Sequence, residues 1–230
     1  MRRILALLLS LTFFTLPAQA AYGRRYVALT FDDGPSGKYT RRLLDGLYDR
    51  GAKATFLLCG YRLKDYPDLA QRILEEGHEI GYHGYSHDSM KTMSRRQIAQ
   101  ELMDTEALLP EGCHPAFLRP PGGLTGDAVR QVAQARNLAI LHWSVDPHDW
   151  EIHSKAAIEK AVLENVHDGD IILLHDMTTA SVEAALDIVD ALQQQDYEFV
   201  TVSELARLRG LRPKPGTVYK KFPPSEQSIK

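Results

Sequence analysis

The chain alternates short apolar runs with longer stretches in which apolar residues recur every three or four positions. The short runs have the length of buried strands, and the longer stretches have the period of helices with one apolar face. Tyr26-Val27-Ala28-Leu29 is the first strand, and it leads into Thr30-Phe31-Asp32-Asp33-Gly34-Pro35. Residues 38–50 predict a helix with Leu43, Leu44 and Leu47 on one face and Gly51 as its stop. Strand two covers residues 54–58, a Pro67-initiated helix with Gly77 as its cap covers 67–76, and strand three covers 78–82. Ser94 and Gln97 form a capping box that opens a helix to about Leu109, with Ile98, Leu102, Thr105, Leu108 and Leu109 inward. Strand four falls at 116–118, a helix at 127–136, strand five at 138–143 and a helix at 154–166. Strand six is the fully apolar 171–174, followed by a helix at 181–194, strand seven at 198–202 and a short helix capped by Ser203 and ending at Arg209. From Leu211 onward Pro, Lys and Ser dominate, so residues 211–230 read as an extended or disordered tail.

Strand and helix alternate from end to end, which predicts parallel strands with crossover helices. Seven units of this kind predict an α/β fold, a TIM-like barrel of seven parallel strands. An open doubly wound sheet is the alternative. Either architecture gathers its chemistry at the carboxyl ends of the strands.

The N-terminus stands apart. Met1-Arg2-Arg3 is basic, Ile4 to Leu16 is apolar, and Ala18-Gln19-Ala20 is a small-x-small cleavage pattern. Residues 1–20 therefore read as a secretory signal peptide cleaved near Ala20. The apolar core is shorter than the roughly 20 residues that span a bilayer. The mature chain then holds one domain, residues 21–210, and sits in the membrane no longer. Net charge is −3 and becomes −5 once Arg2 and Arg3 are removed, which gives no footprint for nucleic acid. The two cysteines, Cys59 and Cys113, either form one disulfide in an exported protein or remain free thiols.

Five strand ends carry reactive residue types: Asp32-Asp33, His83 with His87, Arg119, Asp146 and His175. Asp32 and Asp33 are adjacent at a strand end and can point different ways, although Asp-Asp-Gly-Pro is also good turn chemistry. His83 and His87 are four apart, and a helical turn would aim both imidazoles the same way. Two His and one carboxylate form the ligand set of a hydrolytic metal site with open positions. Zinc is the default for that set, and cobalt, manganese, nickel or iron also suit it. His78, His142 and Trp143 read as structural packing, and Asp149 reads either as support for a ligand or as a turn residue.

These motifs together resemble the polysaccharide deacetylases of the NodB-homology type, carbohydrate esterase family four. The resemblance rests on Thr30-Phe31-Asp32-Asp33-Gly34-Pro35, His83-Gly84-Tyr85-Ser86-His87, Arg119-Pro120-Pro121-Gly122-Gly123, Asp146-Pro147-His148-Asp149-Trp150 and Leu173-Leu174-His175, and it covers about residues 26–208. It implies a distorted seven-stranded (β/α) barrel. It implies Asp33, His83 and His87 as metal ligands, Asp32 as general base with Arg119 beside it, and His175 as general acid with Asp146 as its negative neighbour. The oxyanion is expected on the metal and on a backbone N–H near Gly122, with Trp150 and Leu173 as walls of the substrate site. Two positions depart from the pattern. Gly84 replaces a Ser or Thr that would help fix the histidine loop, and Gly122 replaces a Tyr wall. The expected activity is removal of N-acetyl groups from a polysaccharide outside the cell. Peptidoglycan N-acetylglucosamine is the first expected substrate, and chitooligosaccharides, exopolysaccharides and acetylated xylan are alternatives. A small-amide hydrolase and a non-catalytic carbohydrate-binding protein are the competing readings.

Overall fold

A computed structural model describes residues 24–224. The expected signal peptide lies outside the described residues, within which no helix is long and apolar enough to cross a membrane. The first strand, β1 (Arg25–Asp32), is buried over its last six residues. Its neighbours β2 (Ala54–Leu58), β3 (Glu79–Tyr82), β4 (Phe117–Leu118), β5 (Ala139–Leu141) and β6 (Ile171–His175) are short and mostly buried. Strands covered on both faces need apolar residues on both, so these segments read as continuous apolar runs rather than alternating ones.

The strand order is β6-β1-β2-β3-β4-β5, every neighbouring pair parallel, and the sheet curls into a barrel ringed by helices. Strand β7 (Tyr197–Phe199) pairs with the first residues of β1. The open-sheet alternative is thereby excluded: the segment after β5 returns to β6 through the Val145–Ile172 bridge, with Leu173 N–H donating to the Val145 carbonyl at 3.0 Å.

Helices α1 (Lys38–Asp49), α2 (Gly60–Asp65), α3 (Pro67–Glu75), α4 (Arg95–Glu106), α5 (Asp127–Ala135), α6 (Lys155–Leu163), α7 (Thr179–Gln193) and α8 (Val202–Leu208) cover the outside. Leu43, Leu44 and Leu47 of α1 are buried as their spacing requires, in one cluster with Leu29, Phe31, Phe56 and Leu174. The Ser94–Gln97 capping box is present at α4. Two elements differ from expectation. Helix α2 was not foreseen, because six residues are too few to show a helical period. Helix α8 is capped by Thr201 in a box with Glu204, and not by Ser203. Ser203 instead turns to Glu79, to which both its N–H and its hydroxyl donate.

Residues 211–224 pack on the barrel rather than trailing from it. Val218–Tyr219 forms β8, parallel to β5. Lys221 bridges Asp170, and Phe222 is wholly buried, its N–H donating to the Gly169 carbonyl at 2.8 Å. The tail thus fills the gap between β5 and β6 where a further strand would stand. Cys59 and Cys113 are both free thiols.

Candidate active site

Alternation along the strands decides which side chains enter the barrel. On β1, Leu29 and Phe31 face outward into the helix layer, while Ala28 packs with Leu57, Phe117, Leu141 and Ile171 on the other side. Thr30 and Asp32 continue the Ala28 face. Asp32 is the register partner of His175 across β1 and β6, so both reach the same rim. Leu173 is two residues before His175, on the same face and nearly buried, which places it in the floor beneath.

Arg119 stands at the end of β4, and its side chain has no exposed surface. Its Nη1 donates to Asp32 Oδ1 at 2.6 Å and to Thr30 Oγ1 at 2.9 Å, and its Nη2 donates to the His142 carbonyl at 2.9 Å. The guanidinium is therefore fixed from three sides, and it fixes one oxygen of Asp32. The other, Oδ2, faces His83 Nε2 at 3.8 Å.

Regular alternation would send Asp33 to the other face, but its backbone takes φ 70°, a left-handed conformation that carboxylate residues tolerate better than most, and its carboxylate meets the same histidine as Asp32. Asp33 Oδ1 lies 3.3 Å from His83 Nε2 and 3.0 Å from His87 Nε2. Each of the three residues offers one ligand atom, and these atoms all lie within 4.8 Å of one another. Burial works to raise the Asp33 carboxyl, but the two imidazoles outweigh it and hold it well below the usual carboxylate range. The histidines converge for a different reason from the one their spacing predicts. Residues 83–87 are not helical. His83 leaves β3 pointing inward, and a loop with Gly84 at φ 88° and His87 at φ 66° brings the second ring back beside the first.

The cluster fits a divalent metal ion. Asp33 Oδ1 is buried and accepts no hydrogen bond, although two ring nitrogens stand next to it. His83 Nδ1 lies 2.7 Å from the Arg119 carbonyl, which can only accept, so Nδ1 carries a proton and Nε2 is the ring nitrogen turned to the cluster. A buried oxygen without a hydrogen-bond partner, beside two ring nitrogens turned toward it, is an arrangement that a cation satisfies.

His175 lies across the rim. Its Nδ1 lies 2.8 Å from Asp149 Oδ1, and its backbone N–H donates to Asp149 Oδ2 at 2.8 Å. Burial works against the charged ring, but the Asp149 hydrogen bond and the charges of Asp149, Asp32 and Asp33 push it up to about 9. The sequence reading placed Asp146 here, and the structure corrects it. Asp146 Oδ1 instead accepts the His148 N–H at 2.8 Å and closes a local turn. His148 at φ 56° then reverses the chain so that Asp149, with no exposed surface, enters the barrel. Next to His175, Asp176 is fully buried, and burial pushes its carboxyl up to about 6. It accepts from Thr40, and its carbonyl accepts from Ser36, which ties the end of β6 to the turn after Asp33.

Trp150, expected as a wall, and Gly122, expected to lie near the oxyanion N–H, are both exposed. Trp150 is 57% exposed, with its ring edge-on to His148 at 6.0 Å between centroids. Gly122 occupies an exposed turn at φ 65°, with nothing nearer than Leu124 Cγ, 3.8 Å from where a Cβ would stand. Sequence reasoning missed Thr30 as a partner of Arg119, although its position two residues before Asp32 puts it on the same face.

Comparison with known proteins accords with this geometry. Residues 19–141 match the family model described as polysaccharide deacetylase. The chain is 35% identical over 191 residues to the peptidoglycan-N-acetylmuramic acid deacetylase of Bacillus subtilis (strain 168), covering 82% of this chain and 40% of that protein. It is 37% identical over 191 residues to a peptidoglycan-N-acetylglucosamine deacetylase of Bacillus cereus, covering 80% of this chain and 90% of that protein. The fold superposes with a TM-score of 0.81 on a family 4 acetyl xylan esterase from Clostridium thermocellum in complex with a cobalt ion, at 35% identity over 86% of this chain and 100% of that one. The chain spans about two fifths of the length of the first curated relatives it matches. With a family model over more than half of its length and relatives above 30% identity across most of it, this chain belongs to the polysaccharide deacetylase family.

Proposed function

We propose that this protein is a metal-dependent hydrolase that removes N-acetyl groups from the amino sugars of a polysaccharide outside the cytoplasm, with peptidoglycan N-acetylglucosamine as its first substrate. The observation that carries the reading is that Asp32 and His175 are register partners at one rim, beside the Asp33–His83–His87 cluster. One group is suited to accept a proton and the other to donate one, with ligands for a cation beside them.

Asp33, His83 and His87 would hold the ion, zinc by donor type, and a bound ion supplies Lewis acidity and makes a water acidic enough to attack at neutral pH. The remaining steps belong to the chain. Asp32, oriented by Arg119, takes a proton from the attacking water. The water oxygen bonds to the acetyl carbon, and the carbon–nitrogen bond breaks. His175, protonated through Asp149, gives its proton to the departing amine, so that acetate and a free amino sugar leave. Leu173 in the floor and Trp150 at the rim offer apolar surface to the acetyl methyl and the sugar face. The N-terminal apolar run supports export, and the printed activities of the Bacillus relatives, both on peptidoglycan, support a wall polymer as substrate.

The test is acetate release from peptidoglycan, chitin pentamer and acetylated xylan by the purified protein, with and without added zinc, beside Asp32→Asn and His83→Ala. Metal-dependent release lost in both variants supports the proposal, and the preferred polymer names the substrate. A folded protein that releases no acetate from any glycan under any divalent metal overturns it.

A further inference from the structure

The two histidines of the cluster are held in different ways. The His83 ring is buried and anchored through Nδ1 to the Arg119 carbonyl. The His87 side chain is 44% exposed, and its Nδ1 has no hydrogen bond among the described residues. The placement of His87 therefore comes from its backbone. That backbone is in a costly conformation, with His87 at φ 66° three residues after Gly84 at φ 88°. Something must hold it.

The loop is gripped on both sides. Its carbonyls accept from the first turn of α2, with Gly60 N–H to Gly84 O at 3.0 Å and Tyr61 N–H to Tyr85 O at 3.1 Å. Two of its N–H groups point to one residue on α4. Glu101 Oε2 accepts the Tyr85 N–H at 2.7 Å and the Ser86 N–H at 2.8 Å, and the Ser86 hydroxyl lies 3.1 Å from both carboxylate oxygens. Ser86 Oγ in turn accepts the Asp88 N–H at 3.1 Å, so the support passes across His87. This is the work that a hydroxyl at position 84 would share, and Gly84 has none.

We infer that Glu101 is a positioning residue for the metal site, fixing the Tyr85–Asp88 backbone so that His87 Nε2 stays beside Asp33 and His83. The inference rests on the reading of that cluster as a metal site. Glu101 touches no ligand atom. It acts through two backbone N–H groups and a serine hydroxyl, as the Arg119 carbonyl acts for His83.

The experiment measures zinc affinity by chelator competition and the visible spectrum of the cobalt-loaded protein, for the unaltered chain, Glu101→Ala and Glu101→Gln. Glu101→Ala should weaken metal binding about 10- to 100-fold, the range for lost support behind a ligand, and should alter the cobalt spectrum. Glu101→Gln offers one oxygen to both N–H groups and an amide to the Ser86 hydroxyl, and should stay within about 5-fold of the unaltered protein on the same scale. Should Glu101→Ala not fold, Glu101→Asp replaces it. That variant keeps the charge but withdraws it by one methylene, and it should bind metal more weakly than Glu101→Gln. Equal affinity and an unchanged cobalt spectrum in Glu101→Ala, or in Glu101→Asp where that variant is used, overturn the inference alone. Failure of the unaltered protein to bind any divalent metal overturns the metal-site reading and this inference with it.

Discussion

Asp149 holds His175 twice, through the ring Nδ1 and through the backbone N–H, each at 2.8 Å. The ring's position and its protonation are therefore set by the same buried carboxylate. In the metal-free protein an NMR titration should find His175 near 9, against the ordinary imidazole value of 6.5. Since its folded value is raised, the protonated ring contributes stability that is fully present below about 6.5 and is lost as pH rises through about 9. Asp149→Asn removes the main source of the rise while burial still opposes the charge, so His175 should titrate at markedly lower pH. For activity, the alkaline limb should fall below 9 once a divalent cation offsets the Asp33 charge, and it should move further toward acid in Asp149→Asn. An alkaline limb unchanged by Asp149→Asn would remove His175 from the role of general acid.

Arg119 and Asp32 form a buried ion pair at 2.6 Å, and neither group can regain water if the other is removed. Arg119→Met should therefore destabilise the fold by about 3–5 kcal/mol, read from denaturant unfolding, because it strands the Asp32 charge. Arg119→Met combined with Asp32→Asn should be less destabilising than Arg119→Met alone. A double variant no more stable than the single one would show that Arg119 matters for its packing and its bonds to Thr30 and the backbone, not for its charge.

The apolar runs of β1, β2 and β6 state the barrel openly, because a strand buried on both faces leaves little choice of residue. The site residues were legible for the same reason: reactive side chains interrupt apolar strands at their carboxyl ends. What stayed hidden depends on tertiary geometry. Asp146 and Asp149 occupy one short motif, and only the reversal at His148 decides which of them enters the barrel. The spacing of His83 and His87 named a pair that the fold brings together, but a loop rather than a helical turn joins them. Glu101 lies on the inner stripe of α4 beside Ile98, Leu102 and Thr105, an acid among buried neighbours, yet nothing local says which backbone it meets. Strand β8 escaped notice because a Val-Tyr pair among Pro and Lys has no period of its own and forms only against β5.

Gly84 illustrates why a departure from the family's pattern is not a simple loss. A Cβ there would stand 2.9 Å from the Met90 methyl and 3.3 Å from Glu101 Oε2, at φ 88°. The Met90 tip can move, but the backbone conformation penalises any L side chain by about 1–2 kcal/mol. Gly84→Ser is accordingly expected to lower the thermal unfolding midpoint, although serine is the residue the family's motif favours. A midpoint equal to or above that of the unaltered protein would mean that the loop relaxes to negative φ at residue 84, with Glu101 releasing one of its N–H groups.

The tail makes the last prediction. Phe222 is fully buried and stacks on Tyr219 with centroids 5.2 Å apart, next to the point where Lys221 bridges Asp170 at the start of β6. The two flanks of the barrel, β5 and β6, have little direct pairing at this level, so the tail is the material between them. Phe222→Ala should cost about 3–5 kcal/mol, as for other buried aromatic truncations, and should lower the urea midpoint with an unchanged denaturant slope. Ending the chain at Leu211 removes β8 and Phe222 together and bares the edge of β5, so that protein should lose cooperative unfolding or aggregate. A cost below about 1 kcal/mol for Phe222→Ala would place the tail outside the cooperative fold, on the scale of ordinary surface substitutions. The barrel would then have to be stable with its β5–β6 side held by the hydrogen bonds of Ser144 and Val145 to residues 170–173.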